Sequence, residues 1–239
     1  MIQSNPSLTS RRVKSPGPQH RAAFHEAGHA TAICLYNKLE KLPPVFFQIS
    51  IKKYQSGAKW ETTCKAKAAQ NPVARVEGGR LIENLPTSLD AIGNLDNNDI
   101  EQCLATRKAL ISALEADVIT LLSGVLAEAK FVADCDGEMI NGHLLNLDSL
   151  QNYRESVDLA LVNDYIKCLI PNIKERNEKL AELFGKAFDF INESSTWNGI
   201  TRLANYILEK NDSIDCEEII RVLEDGKTSL HAQEHSMSF

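Results

Sequence analysis

The chain has no cysteine pair at CxxC spacing: its six cysteines stand at 34, 64, 103, 135, 168 and 216. That excludes a zinc knuckle and a dithiol redox motif. Cys34, Cys103 and Cys168 fall in helical patterns, where a cysteine acts as a small hydrophobe, and the usage fits a reducing, cytoplasmic compartment. A basic excess is also missing. Lys+Arg number 26 against 32 Asp+Glu, for a net charge of −6, so no nucleic-acid surface is expected. No apolar run is expected to reach the roughly 20 residues of a membrane span. The N-terminal arginines lead into no apolar segment, which argues against a signal peptide.

With 43% hydrophobic and 24% charged residues, the composition is that of a globular chain able to bury a core. Residues 1–18 are polar and rich in Pro and Ser and form a lead-in, and 227–239 form a polar tail. Between them a single domain, 19–226, is expected, without internal repeats. The pattern turns helical after Pro18. Pro43-Pro44 then introduces a strand at Val45–Ile51, rich in β-branched and aromatic residues. Residues 57–98 are polar and irregular and read as a long loop or lid. Apolar residues at three- and four-residue steps predict a long helix from Ile100 to Val132, with Gly124 its one weak point. Further helices are expected up to Leu169, over 172–191, and as a closing pair in which Asp215 caps the last. The fold class is mainly α, with a small sheet.

One segment carries chemistry. His25-Glu26-Ala27-Gly28-His29 is an HExxH motif inside the first helical pattern, and it should arise by chance in only about 1% of chains this size. Residues four apart share a helix face, so His25 and His29 can both aim an imidazole nitrogen at one metal ion. Glu26, about 100° round the helix, reaches a water on that metal and serves as general base. Ala27 and Gly28 are small and let a neighbouring helix approach. The pattern points to Zn2+ as cofactor. A catalytic zinc takes a third protein ligand. The extended HExxHxxGxxH pattern fails, because Ala32 and Leu35 stand at its Gly and His positions. The glutamate about twenty residues downstream is also missing, as no acid lies between Glu40 and Glu61. The third ligand must come from farther along the chain.

Four segments in order resemble the peptidase domain of the FtsH-type AAA metalloproteases. "RAAFHEAGHATA" resembles the family's HEAGHA helix, and "PPVFFQISIKKYQSGA" is similar to the strand that edges its cleft. "TRKALISALEADVITLLSGVLAEAKF" resembles its GGRxAEE helix, reduced here to Ser123-Gly124-Val125-Leu126-Ala127-Glu128. "LANYILEKNDSIDCEEIIRVL" resembles the closing helical pair. The likeness spans about residues 20–225. It implies a zincin-like metallopeptidase fold and a zinc-dependent endopeptidase acting on unfolded or flexible polypeptides. In the family the third ligand is an aspartate in an "SNDL" context, opening the helix after GGRxAEE. Here Asp148 has the matching chain order, and Asp99, in "NNDIEQ", the closer local match; chain order favours Asp148. The expected site is therefore His25, His29 and Asp148 on zinc, with Glu26 as base. The substrate is expected to lie as a strand along Phe46–Ile51. The ATPase module of the family is not seen, which implies a separate ATPase partner or a homo-oligomer for folded substrates. The alternative is a degenerate peptidase fold kept as an interaction or regulatory module.

Overall fold

The computed structural model of the protein describes residues 16–51, 74–78, 100–140 and 157–225, with side chains from 104 onward in the third segment. The helices are α1 (Pro18–Thr31), α2 (Asn37–Leu39), α3 (Ile100–Asp136), α4 (Val157–Leu169), α5 (Ile173–Asn192) and α6 (Ser194–Glu209), with a last helix, α7, over 216–225. The strands are β1 (Phe47–Ile51), β2 (Ala74–Gly78) and β3 (Ile214–Asp215). The protein is mainly helical with a small antiparallel sheet, as the sequence pattern implied.

Local chemistry accounts for the helix ends. Pro18 opens α1, where its fixed φ suits the first turn and its missing N–H costs nothing. The helix does not stop at Thr31 but widens into a π segment over Ala32–Tyr36 before the α2 turn. Helix α3 runs four residues past the expected Val132. Gly137, at φ 74°, then reverses the chain, with Glu138 N–H donating to Ala133 C=O at 2.9 Å and Gly137 N–H to Asp134 C=O at 3.2 Å. Those two bonds close the last turn as a Schellman motif. Asn172 caps α5 through Lys174 N–H, and Asp215 caps α7 through Glu218 N–H at 2.8 Å, the role its sequence position implied.

Helix α3 runs through the middle of the molecule and touches α1, α4 and α5. Its Leu114, Val118, Ile119, Leu122 and Leu126 are fully or almost fully buried. A helix with neighbours on several sides must be apolar on several faces. That is why, against expectation, one helix stretch among the described residues, Leu104–Asp136, is long and apolar enough to cross a membrane by length and composition, although half of that apolar window is buried inside the protein. Phe24 of α1 stacks on Phe131 of α3 at 3.9 Å and meets Trp197 of α6 at 5.7 Å. Trp197 is thus a packing residue.

The sheet corrects two expectations. Residues 57–98 are not wholly a loop, because they contain β2. Its apolar signal is weak, Ala74 and Val76 alternating with Arg75 and Glu77, so its sequence reads as polar. The strand order is β2-β1-β3, with Ile49 opposite Val76 on one side and Ile214 on the other. Strand β1 is therefore central, paired along its whole length with β2 and at Gln48 and Ile49 with β3, so Phe46–Ile51 is not the open edge strand it was expected to be. Phe47 and Ile49 are core residues, and Phe46, 90% exposed, precedes the strand. Among the described residues the outer strands of the sheet are β2 and the two-residue β3.

Candidate metal centre

His25 and His29 lie one turn apart on α1, and their imidazole rings meet edge to face. Their Nε2 atoms are 3.0 Å apart. Oδ2 of Asp158, near the start of α4, lies 3.1 Å from His25 Nε2 and 3.8 Å from His29 Nε2. The ligand atoms of the three residues all fall within 4.8 Å of one another. Donors held about 2.0–2.1 Å from a tetrahedral zinc are about 3.3 Å apart, and the three separations bracket that value. Two imidazoles and a carboxylate also form a donor set that zinc accepts. The residues fit the ion.

Helix α3 orients both histidines from behind. His29 Nδ1 lies 2.9 Å from the carbonyl oxygen of Thr120, to which it donates, and this leaves Nε2 as the free donor atom of the ring. One turn on, Gly124 lies directly under the His29 ring: a Cβ there would stand 2.4 Å from Cε1 and 2.5 Å from Nε2. Another turn on, Glu128 places Oε2 3.2 Å from His25 Nδ1, while Oε1 accepts from Arg21 Nε at 2.8 Å. Thr120, Gly124 and Glu128 thus form one ridge of α3 that fits along the histidine face of α1. The close approach needs Gly28 as well, since a Cβ there would lie 2.5 Å from Ser123 O and 2.9 Å from Gly124 Cα. Gly124, the weak point of the helix by propensity, is where the ring sits.

The electrostatics follow from burial and the three acids around His25. Burial alone would lower the pKa of this imidazole. The hydrogen bond to Asp158, the 3.2 Å contact with Glu128 and the charge of Glu26 outweigh it and push the pKa up to about 10. Glu128 is 6% exposed. Its burial works against ionisation, but the His25 contact, and then Arg21, hold its carboxyl below the usual range.

Glu26 is 7% exposed and points away from the α3 ridge, toward the sheet. Its Oε2 accepts a 2.6 Å hydrogen bond from the backbone N–H of Val76 in β2. The expected general base is therefore beside the histidines and against the outer strand β2.

Of the expected site residues, His25, Glu26 and His29 are brought together. Asp148 and its competitor Asp99 lie outside the described residues. Among the described residues the carboxylate at the two histidines is Asp158, ten residues beyond Asp148. Asp158, like Asp148, follows the Gly124–Glu128 helix in chain order. The finer signal was Ser156-Val157-Asp158-Leu159, which keeps the S-x-D-L of the family's aspartate context. Compared with family models, curated proteins and solved structures, the chain matches none.

Proposed function

We propose that the protein is a zinc-dependent metallopeptidase of the FtsH-like, zincin-type class, with His25, His29 and Asp158 as ligands and Glu26 as general base. The observation that carries this reading is the convergence of His25 Nε2, His29 Nε2 and Asp158 Oδ2 within 4.8 Å, from helices 133 residues apart in sequence, beside the glutamate of an HExxH motif. A zinc ion held there would lower the pKa of a bound water toward about 7. Glu26 would take the proton from that water and return it to the leaving amine. Glu128 and the Thr120 carbonyl hold the imidazoles in the tautomer that presents Nε2. Arg21 fixes Glu128 in turn.

The substrate is an unfolded or flexible polypeptide. Its extended backbone would pair with the edge of β2, which is terminal in the sheet among the described residues and lies against Glu26. Main-chain pairing of this kind gives affinity with little dependence on side chains.

The test is zinc content and peptide hydrolysis measured together. Wild-type protein purified without added metal should carry about one zinc per chain, and Asp158→Asn far less. Glu26→Gln should keep the zinc and lose hydrolysis of an unfolded protein substrate. Zinc unaffected by Asp158→Asn removes Asp158 from the ligand set. Hydrolysis unaffected by Glu26→Gln removes the peptidase reading, and a zinc-loaded protein that cleaves nothing leaves a binding module.

A further inference from the structure

The hydrogen bond between Val76 N–H and Glu26 has a geometric consequence for which peptides the site can cut. In an antiparallel ladder, each residue turns both its N–H and its C=O either toward the neighbouring strand or away from it. Val76 pairs with Ile49 across the sheet, yet its N–H goes to Glu26. Val76 therefore belongs to the outward set, and so do Ala74 and Gly78, two residues to either side. Strand β2 is terminal in the sheet among the described residues, so this outward set is the row of groups that an added strand would use. The Glu26 carboxylate stands on the middle position of that row.

We infer that the Val76 N–H is a shared donor, holding Glu26 against β2 in the free protein and passing to a substrate carbonyl when an extended peptide pairs with that edge. The inference rests on the peptidase reading and deepens it. A single N–H at 2.6 Å from Glu26 Oε2 cannot also give a full-strength bond to an incoming carbonyl on the same line. Retention of the Glu26 contact and pairing of a peptide across position 76 exclude each other. A peptide that reaches Val76 displaces the carboxylate and leaves it free to act on water. A peptide too short to reach Val76 leaves Glu26 held against the strand. Backbone length, more than side-chain identity, then selects the substrate, and the selection acts on turnover as well as on binding.

Gly78 sets one end of the pairing edge. Its φ of 101° and the 2.7 Å approach that a Cβ would make to Phe46 O exclude a side chain there, and it is the last described residue of the strand. The usable row is thus short, centred on Val76.

Two measurements test the exchange. The first needs neither metal nor activity: the amide proton of Val76 is observed by NMR in metal-free protein, wild type and Glu26→Gln. A short bond to a carboxylate moves an amide proton downfield, so the substitution should move it upfield, with little change at Arg75. An unmoved Val76 amide overturns the inference whatever the protein hydrolyses. The second follows kcat over a series of peptides of increasing length in zinc-loaded protein. Wild type should show a step of about tenfold, the worth of one hydrogen bond to a charged group, once the peptide reaches Val76. Val76→Pro removes the donor without removing a ladder bond to β1, since the N–H faces outward, and should flatten the step. A wild-type enzyme that cleaves all lengths with one kcat overturns the exchange and leaves the peptidase reading intact. No cleavage of any peptide defeats the peptidase reading and the exchange with it. The amide measurement in wild type and Glu26→Gln stands even if the proline variant fails to fold.

Discussion

Replacing Gly124 by alanine puts a methyl group where the His29 imidazole lies. The new Cβ would be 2.4 Å from Cε1, 2.5 Å from Nε2 and 2.7 Å from Nδ1. Ordinary contact begins at 3.4 Å, so ring and methyl must separate by about 1 Å, a shift large enough to disrupt a metal site. Such a movement lengthens the 2.9 Å bond from Nδ1 to Thr120 O and carries Nε2 away from His25 and Asp158. Loss of a supporting contact of this kind costs about 10–100-fold in metal affinity, or about 1.4–2.8 kcal/mol. For the fold alone, two effects oppose each other. Alanine is a better helix former than glycine by about 0.8–1.0 kcal/mol, while overpacking costs about 1–3 kcal/mol. The net expectation without metal is a loss of about 0–2 kcal/mol. In a His29→Ala background the ring is gone and only the propensity remains, so the same substitution should stabilise by about 1 kcal/mol. Urea denaturation in the presence of chelator reads the stability of all four proteins, and competition with a chromophoric chelator reads zinc affinity in Gly124→Ala and wild type. A Gly124→Ala protein more stable than wild type and equal to it in zinc affinity would refute the packing argument.

Two other predictions concern groups away from the ligand atoms. Glu128→Gln should lower zinc affinity by about 10–100-fold while circular dichroism stays that of wild type, because the His25 ring loses its charged partner but the helices keep their packing. Glu193, which caps α6 through the N–H groups of Ser195 and Thr196, has its carboxyl lowered to about 2, first by the Ser195 hydroxyl and then by those backbone donors. Its folded-state pKa lies below the unfolded value, so its stabilisation is present above about pH 4.5 and is lost as pH falls toward 2. Glu193→Ala should therefore cost about 1 kcal/mol at pH 7 and almost nothing near pH 2, as read by urea titrations at both pH values.

The sequence showed the parts of this protein that depend on near neighbours. HExxH needs only the four-residue step of one helix, and the helices of 100–136 and 173–192 follow from apolar spacing. The caps at Asn172 and Asp215 follow from residue type. What it hid depends on distant partners. Strand β2 has little apolar content of its own and owes its form to pairing with β1, and the two residues of β3 owe theirs to Gln48 and Ile49. The Thr120 contact to His29 is made by a backbone carbonyl, which has no sequence signature at all. Asp158 was obscured differently. Asp148 lies outside the described residues, and the place of Asp158 beside the histidines depends on which turn of the following helix reaches α1.

The π segment over Ala32–Tyr36 starts three residues after His29. A π turn is an α turn holding one residue more, so from there on every side chain is rotated by about 100° relative to the motif. The helix thus carries two phases. Its first part aims His25 and His29 at the α3 ridge, and its last part turns Tyr36 edge-on to Phe190 of α5, 5.8 Å away. The surplus residue separates the two obligations, so the tyrosine contact can drift without disturbing the histidines. Deleting one residue between 32 and 36 would return the π turn to an α turn, keep the motif in register and leave Tyr36 facing Phe190. The place where this chain can gain or lose a residue without touching its chemistry is thus just after the second histidine, and an insertion one turn earlier would separate the two histidines.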